Sequence, residues 1–181
     1  HQSGRRQRQM CIRDRICDVS GSVGAYARFM LMFLFSLTEV VSKLRAFVFS
    51  SNLGEVTNDF KDSQLDEAIE KALQKHGGGS TDYGQALTEF VSLCLDEIDK
   101  KTTVVILGDA RNNFGPDKAN LMKSINERAK QVFWLNPEGK YRWDTGDSVM
   151  TTYSAYCTKV FQCGNIEQLE RVISTLLKTA I

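Results

Sequence analysis

Residues 102–107 read Thr-Thr-Val-Val-Ile-Leu, an unbroken apolar run with no polar alternation, and Gly108 and Asp109 follow at once. A strand that never alternates is covered on both faces, which happens chiefly in parallel sheets with helices above and below. The rest of the chain must then supply strands separated by helices, and its periodicities do. Short apolar or alternating runs at residues 16–19, 44–50, 54–57, 132–135 and 158–162 predict the other strands. Helical spacing predicts helices over about 24–43, 66–74, 82–95, 116–130 and 165–178. The glycines at 77–79 stop one helix, Pro116 opens another at an allowed first-turn position, and Asn165 caps the last. In the helix from residue 24, Phe29, Phe33 and Leu37 recur at core spacing. Phe and Met also occupy its other faces, so it is expected to be buried nearly all round.

The expected fold is therefore α/β: a Rossmann-like, doubly wound, mostly parallel central sheet with helices on both faces. Right-handed crossovers bring the carboxyl ends of the parallel strands to one rim, where such folds bind ligands. A length of 181 residues suits one domain with a full core, and only two prolines interrupt it.

The net charge of +1 conceals an asymmetry. Residues 1–15 hold five arginines and a single acid, Asp14; taking them away leaves 18 basic and 21 acidic residues, a net of −3. The first 15 residues are expected to be a non-native or disordered leader, the tract QRQMCIRDR resembling translated sequencing-adapter read-through, with the domain over 16–181. A mildly acidic domain gives no electrostatic footprint for nucleic acid. The longest apolar run, residues 29–37, is too short to span a membrane, and none is expected to be crossed. Five cysteines without a C-x-x-C pair argue against a zinc site or a disulfide scaffold and fit free thiols in a reducing cytoplasm.

Three loops then fall on the rim. Asp18-Val-Ser20-Gly-Ser22 follows the first strand, Thr81 lies in the glycine-rich loop before a helix, and Asp109 follows the fourth strand. Each has an ordinary explanation alone: Ser22 and Thr81 could be helix caps, and Asp109 part of a turn. Together, the D-x-S-x-S spacing, the Thr81–Leu87 segment and the post-strand aspartate resemble the metal-ion-dependent adhesion site of von Willebrand factor A (VWA) domains, over about residues 16–181. The segments ICDVSGSV, RAFVFS, EVT, GGGSTDYGQAL, the Gly-Asp-x-Arg-Asn-Asn stretch at 108–113, WLNP and W-x-T-G-D-S-x-M-x-x-Y resemble the CoxE-like branch more narrowly. Physical reading adds only that Trp134 is a strand residue and that Trp143 packs under the rim.

The resemblance implies that Ser20, Ser22 and Thr81 ligate Mg²⁺ (or Mn²⁺ or Ca²⁺) through hydroxyl oxygens, while Asp18 and Asp109 act through water and hydrogen bonds. An open position would then take a Glu or Asp carboxylate from another protein. It further implies a cytoplasmic bacterial adaptor working beside a MoxR-type AAA+ ATPase in the maturation of a metalloenzyme or another complex, and no enzyme activity. The alternatives are a metal-dependent hydrolase or phosphatase on the same fold, or a metal-free interaction domain. The phosphatase pattern needs an aspartate where Ser20 stands, and the glycine-rich loop lacks the lysine of a nucleotide-binding P-loop. His76, at a helix end, is expected to be solvent-exposed.

Overall fold

The computed structural model describes residues 12–40 and 44–179. Six strands form one sheet in the order β3-β2-β1-β4-β5-β6: β1 (Ile12–Asp18), β2 (Arg45–Phe49), β3 (Leu53–Glu55), β4 (Thr103–Leu107), β5 (Gln131–Asn136) and β6 (Lys159–Gln162). Every neighbouring pair is parallel except β2–β3. The doubly wound α/β expectation holds, with a single antiparallel edge.

Helices cover both faces. On one, α1 (Gly24–Val40), α3 (Leu65–His76) and α7 (Ile166–Thr179) enclose a core with Cys17, Val48, Val105 and Phe133. On the other, α4 (Tyr83–Cys94), α5 (Ala119–Arg128) and the short α6 (Met150–Ser154) enclose Phe47, Ile106 and Trp134. A further short helix, α2 (Thr57–Asp62), begins at the residue expected to end a strand.

Some expectations change. Helix α1 is not buried all round: Arg28, Met32 and Ser36 form an exposed stripe, and Arg28 pairs with Asp66 and Glu70. Helix α5 starts at Ala119, because the Asn112 amide holds the carbonyls of Gly115 and Pro116 and Lys118 takes a left-handed turn at φ 50°. His76 is half-buried, its ring lying where a Cβ on Gly54 would collide with it. The expected cap of α7 is present: Asn165 Oδ1 accepts the N–H of Gln168, whose own side chain accepts the N–H of Gly164.

The boundary at residue 16 also moves. Strand β1 begins at Ile12, so residues 12–15, expected in the leader, lie inside the sheet; residues 1–11 fall outside the described ones. Asp14 and Arg15 are buried, with Arg15 in register between Ala46 and Val105. Strands β2 and β4 both need a partner along this stretch, and backbone pairing of the central strand prevails over the desolvation of two charged side chains. The three guanidinium nitrogens of Arg15 find no hydrogen-bond partner among the described residues. Burial pushes that group down to about 9.

Candidate metal centre

Strands β1 and β4 are adjacent at the middle of the sheet, and Cys17 pairs with Leu107, so their carboxyl ends leave side by side. Asp18 and Asp109 are thereby brought together, both fully buried. The glycine-rich loop closes the third side through two backbone bonds, Gly21 N–H to Gly79 O (3.1 Å) and Gly78 N–H to Val19 O (3.1 Å). The structure therefore gathers all five residues singled out in the sequence.

The capping explanations for the hydroxyls fail. Helix α4 is capped by Asp82, whose carboxylate accepts the Gln85 N–H at 2.8 Å, and Thr81 is left free. Ser20, at the cap position of the turn Gly21–Val23, makes no side-chain cap bond there, and the bonds of the Ser22 hydroxyl go to Ser20 and Thr81. The hydroxyls of Ser20, Ser22 and Thr81 instead face one another in a triangle with sides of 2.7, 3.1 and 3.3 Å. Ser20 and Thr81 are buried and Ser22 is exposed, so the triangle opens toward solvent on one side.

That triangle has the dimensions of one face of a small octahedral shell. Mg²⁺ holds oxygens at about 2.1 Å, which puts adjacent ligands roughly 3 Å apart. Among the described residues no group of three or more His, Cys, Asp or Glu side chains could hold a metal, so hydroxyls are the donor set at hand.

The carboxylates are arranged to support such a shell. Asp18 Oδ1 accepts the Ser20 N–H and Oδ2 accepts the Tyr83 phenol, each at 2.8 Å. Asp109 Oδ1 accepts the Arg111 N–H at 2.9 Å, while its buried Oδ2 has no partner among the described residues. Burial, then the charge of Asp109, pushes the Asp18 carboxyl up to about 7. Burial raises Asp109 too, partly offset by the Arg111 N–H and the nearby Ser22 hydroxyl. Two desolvated carboxylates with one oxygen unsatisfied are what a dication would relieve.

Three residues of the site hold roles that no spacing in the sequence assigns, although Tyr83 and Asn112 lie within segments that resemble the family. Tyr83, buried on Phe49 and Trp134, both donates to Asp18 and accepts the Ala110 N–H (3.1 Å). Its hydroxyl occupies the place of a Cβ on residue 108 (2.0 Å), so only glycine fits there. Asn112 Oδ1 accepts the Tyr83 N–H at 2.8 Å, tying the loop after β4 to the start of α4. Glu138 grips Arg111 through both carboxylate oxygens, at 2.8 and 3.1 Å, and Arg111 also reaches Asp147 at 3.1 Å. Trp134 donates its indole N–H to Gly108 O at 2.8 Å, and Trp143 donates to Glu138 O at 3.1 Å, beneath the rim as expected.

The family model described as VWA domain containing CoxE-like protein matches residues 2–172. The chain belongs to that family. No curated protein matches the sequence. Among solved structures, a von Willebrand factor type A protein from Catenulispora acidiphila shares 11% identity at a TM-score of 0.63, over 95% of this chain and 42% of that one. Proximal thread matrix protein 1 from the mussel byssus, described with a zinc-occupied MIDAS motif, aligns at 16% identity and TM-score 0.62, over 93% and 48%. Manganese-loaded TRAP protein from Plasmodium vivax aligns at 16% and 0.54, over 81% and 62%. The chain thus spans less than half the length of the first two, and these likenesses establish the VWA fold. No helix among the described residues is long and apolar enough to cross a membrane. The cysteines at 17, 94, 157 and 163 are free; Cys11 lies outside the described residues.

Proposed function

We propose that this VWA domain binds one divalent ion on its rim and uses it to grip a carboxylate of a partner protein. Ser20, Ser22 and Thr81 would hold the ion directly, with Asp18 and Asp109 supporting through water and hydrogen bonds. The observation that carries this is the hydroxyl triangle, unused for capping and set beside an Asp109 Oδ2 that has no partner among the described residues. When bound, the ion supplies a hard electrophilic position that an oxygen ligand from outside can occupy. A shell built on neutral hydroxyls leaves most of the ion's charge for that ligand.

The reading is of binding, not catalysis. The hydroxyls bond to one another, with no imidazole among the partners of Ser20, Ser22 or Thr81 in the described residues, and His76 lies at the end of α3 against Gly54. Membership of the CoxE-like family supports a cytoplasmic adaptor role beside a MoxR-type AAA+ ATPase, in the maturation of a metalloenzyme or another complex. Isothermal titration of the chelator-stripped chain with Mg²⁺ and with Mn²⁺ tests the first half. One site is expected, lost in Ser20→Ala; heat that persists undiminished in that variant would overturn the assignment. Pull-down of the cognate ATPase with and without chelator tests the second.

A further inference from the structure

The loop after Asp109 carries a feature the metal site does not use. Phe114 is 84% exposed, at φ 57°, directly after Asn113 at φ 49°. Two consecutive non-glycine residues in the left-handed region are unusual, and a bulky aromatic there is a marked outlier. Such conformations persist only where the surroundings over-determine them. Here they do: the Asn113 N–H donates to Asp147 Oδ2 (3.0 Å), the Asn112 side chain is buried, and Gly115 N–H closes a turn on Asn112 O (2.8 Å). Arg111 clamps the same loop to Glu138 and Asp147. The loop is a braced platform and not a loose tip.

The platform stands against the metal centre. Asn113 Nδ2 reaches Ser80 Oγ at 3.5 Å, and Ser80 adjoins Thr81. Phe114 is therefore held open to solvent one residue from a contact with the loop that carries the third hydroxyl. A rigid aromatic, pre-exposed beside a position that attracts a carboxylate, is the arrangement of an interface anchor.

We infer that Phe114 is the apolar anchor of the partner interface. The partner then presents an acidic side chain to the ion with an aromatic or aliphatic side chain one or two residues away, packing on the Phe114 ring. This rests on the metal-dependent reading above and adds the second half of the recognition motif. Tyr141 is equally exposed (84%), but it lies in the turn after β5 and makes no hydrogen bond to the metal loops among the described residues, so it serves as the control.

The test is a random-peptide display library selected on the full chain in Mg²⁺ and eluted with chelator. Recovered peptides are expected to pair a Glu or Asp with an apolar neighbour. Synthetic versions should bind Phe114→Ala roughly tenfold or more weakly, and Tyr141→Ala within about twofold of wild type. The metal-induced rise in melting temperature should be unchanged in both variants, showing that fold and ion site are intact. Acid-dependent peptides that bind Phe114→Ala as well as wild type would overturn the anchor and leave the metal reading standing. Peptides that need Phe114 but no acidic residue would overturn the carboxylate reading. Recovery of no chelator-eluted peptide counts against both.

Discussion

The Tyr83 phenol sits 2.8 Å from Asp18 Oδ2 and 3.1 Å from the Ala110 nitrogen, donating to the first and accepting from the second. A single side chain on α4 thus ties the loop after β1 to the loop after β4, the two places where the site's carboxylates emerge. Burial, with the charges of Asp18 and Asp109, raises the phenol well above its ordinary value, so it stays a donor.

Tyr83→Phe should keep the ring packing and remove only this tie. It leaves Asp18 Oδ2 buried without a partner, an effect of about 1–3 kcal/mol. The melting temperature of the metal-free chain should fall, and Mg²⁺ affinity should fall with it as Asp18 loses its orientation. Calorimetric titration of this variant checks the second effect; unchanged affinity would show that Tyr83 is only a packing residue.

An ion that binds the folded state alone stabilises it by about 2.7 kcal/mol at a hundredfold excess over its dissociation constant. For a domain of this size that is a rise of roughly 5–10 °C in melting temperature. Asp109→Ala and Thr81→Ala should lose most of the rise, and Trp143→Phe should keep it. Without metal, Asp109→Ala should melt no lower than wild type, because it removes one of two buried charges that repel. Equal responses in all four proteins would reduce the constellation to turns.

The metal response should depend on pH. The Asp18 carboxyl moves from its ordinary 3.8 up to about 7 in the folded chain. Between these values the folded state binds the extra proton, so this group's contribution favours the metal-free fold at low pH and is lost as pH rises toward about 7. A bound cation compensates the ionised form and competes with that proton. Melting curves from about pH 5 to about pH 8 should therefore show the Mg²⁺-induced rise growing through this window. A rise independent of pH would show that Asp18 needs no deprotonation to support the ion.

Arg15→Leu should stabilise the chain. The guanidinium is buried between Ala46 and Val105, its three nitrogens without a hydrogen-bond partner among the described residues. Replacing buried ionic groups with apolar ones of similar volume commonly gains about 1–4 kcal/mol. Arg15→Lys, which retains a buried charge, should give no such gain. Thermal unfolding of both variants decides, and a lower melting temperature for Arg15→Leu would mean that the guanidinium is compensated.

How much of this was legible in the sequence follows from what each feature depends on. The parallel sheet was visible because residues 103–107 are apolar on both faces. The hydroxyl and carboxylate positions were visible because a short motif fixes their spacing. Strand β1 was cut short because Arg13, Asp14 and Arg15 violate the apolar rule for a central strand, and pairing demand from β2 and β4 is a tertiary effect. Tyr83 and Asn112 were missed because their roles exist only across the gap between loops some 30 residues apart. Glu138 and Asp147 join the site only through Arg111, which bonds to both across separate loops.

Closing the first turn of α4 falls to Asp82, and the hydroxyl facing the site belongs to Thr81. Architecture and chemistry thus occupy neighbouring but separate codons, and each is open to change without the other. Thr81→Ala would yield a metal-blind scaffold with an intact helix, and Thr81→Asp a more anionic cage suited to larger, harder-held ions such as Ca²⁺. A lineage could drift between ion-gated and ion-independent recognition one residue at a time, keeping the same folded platform throughout.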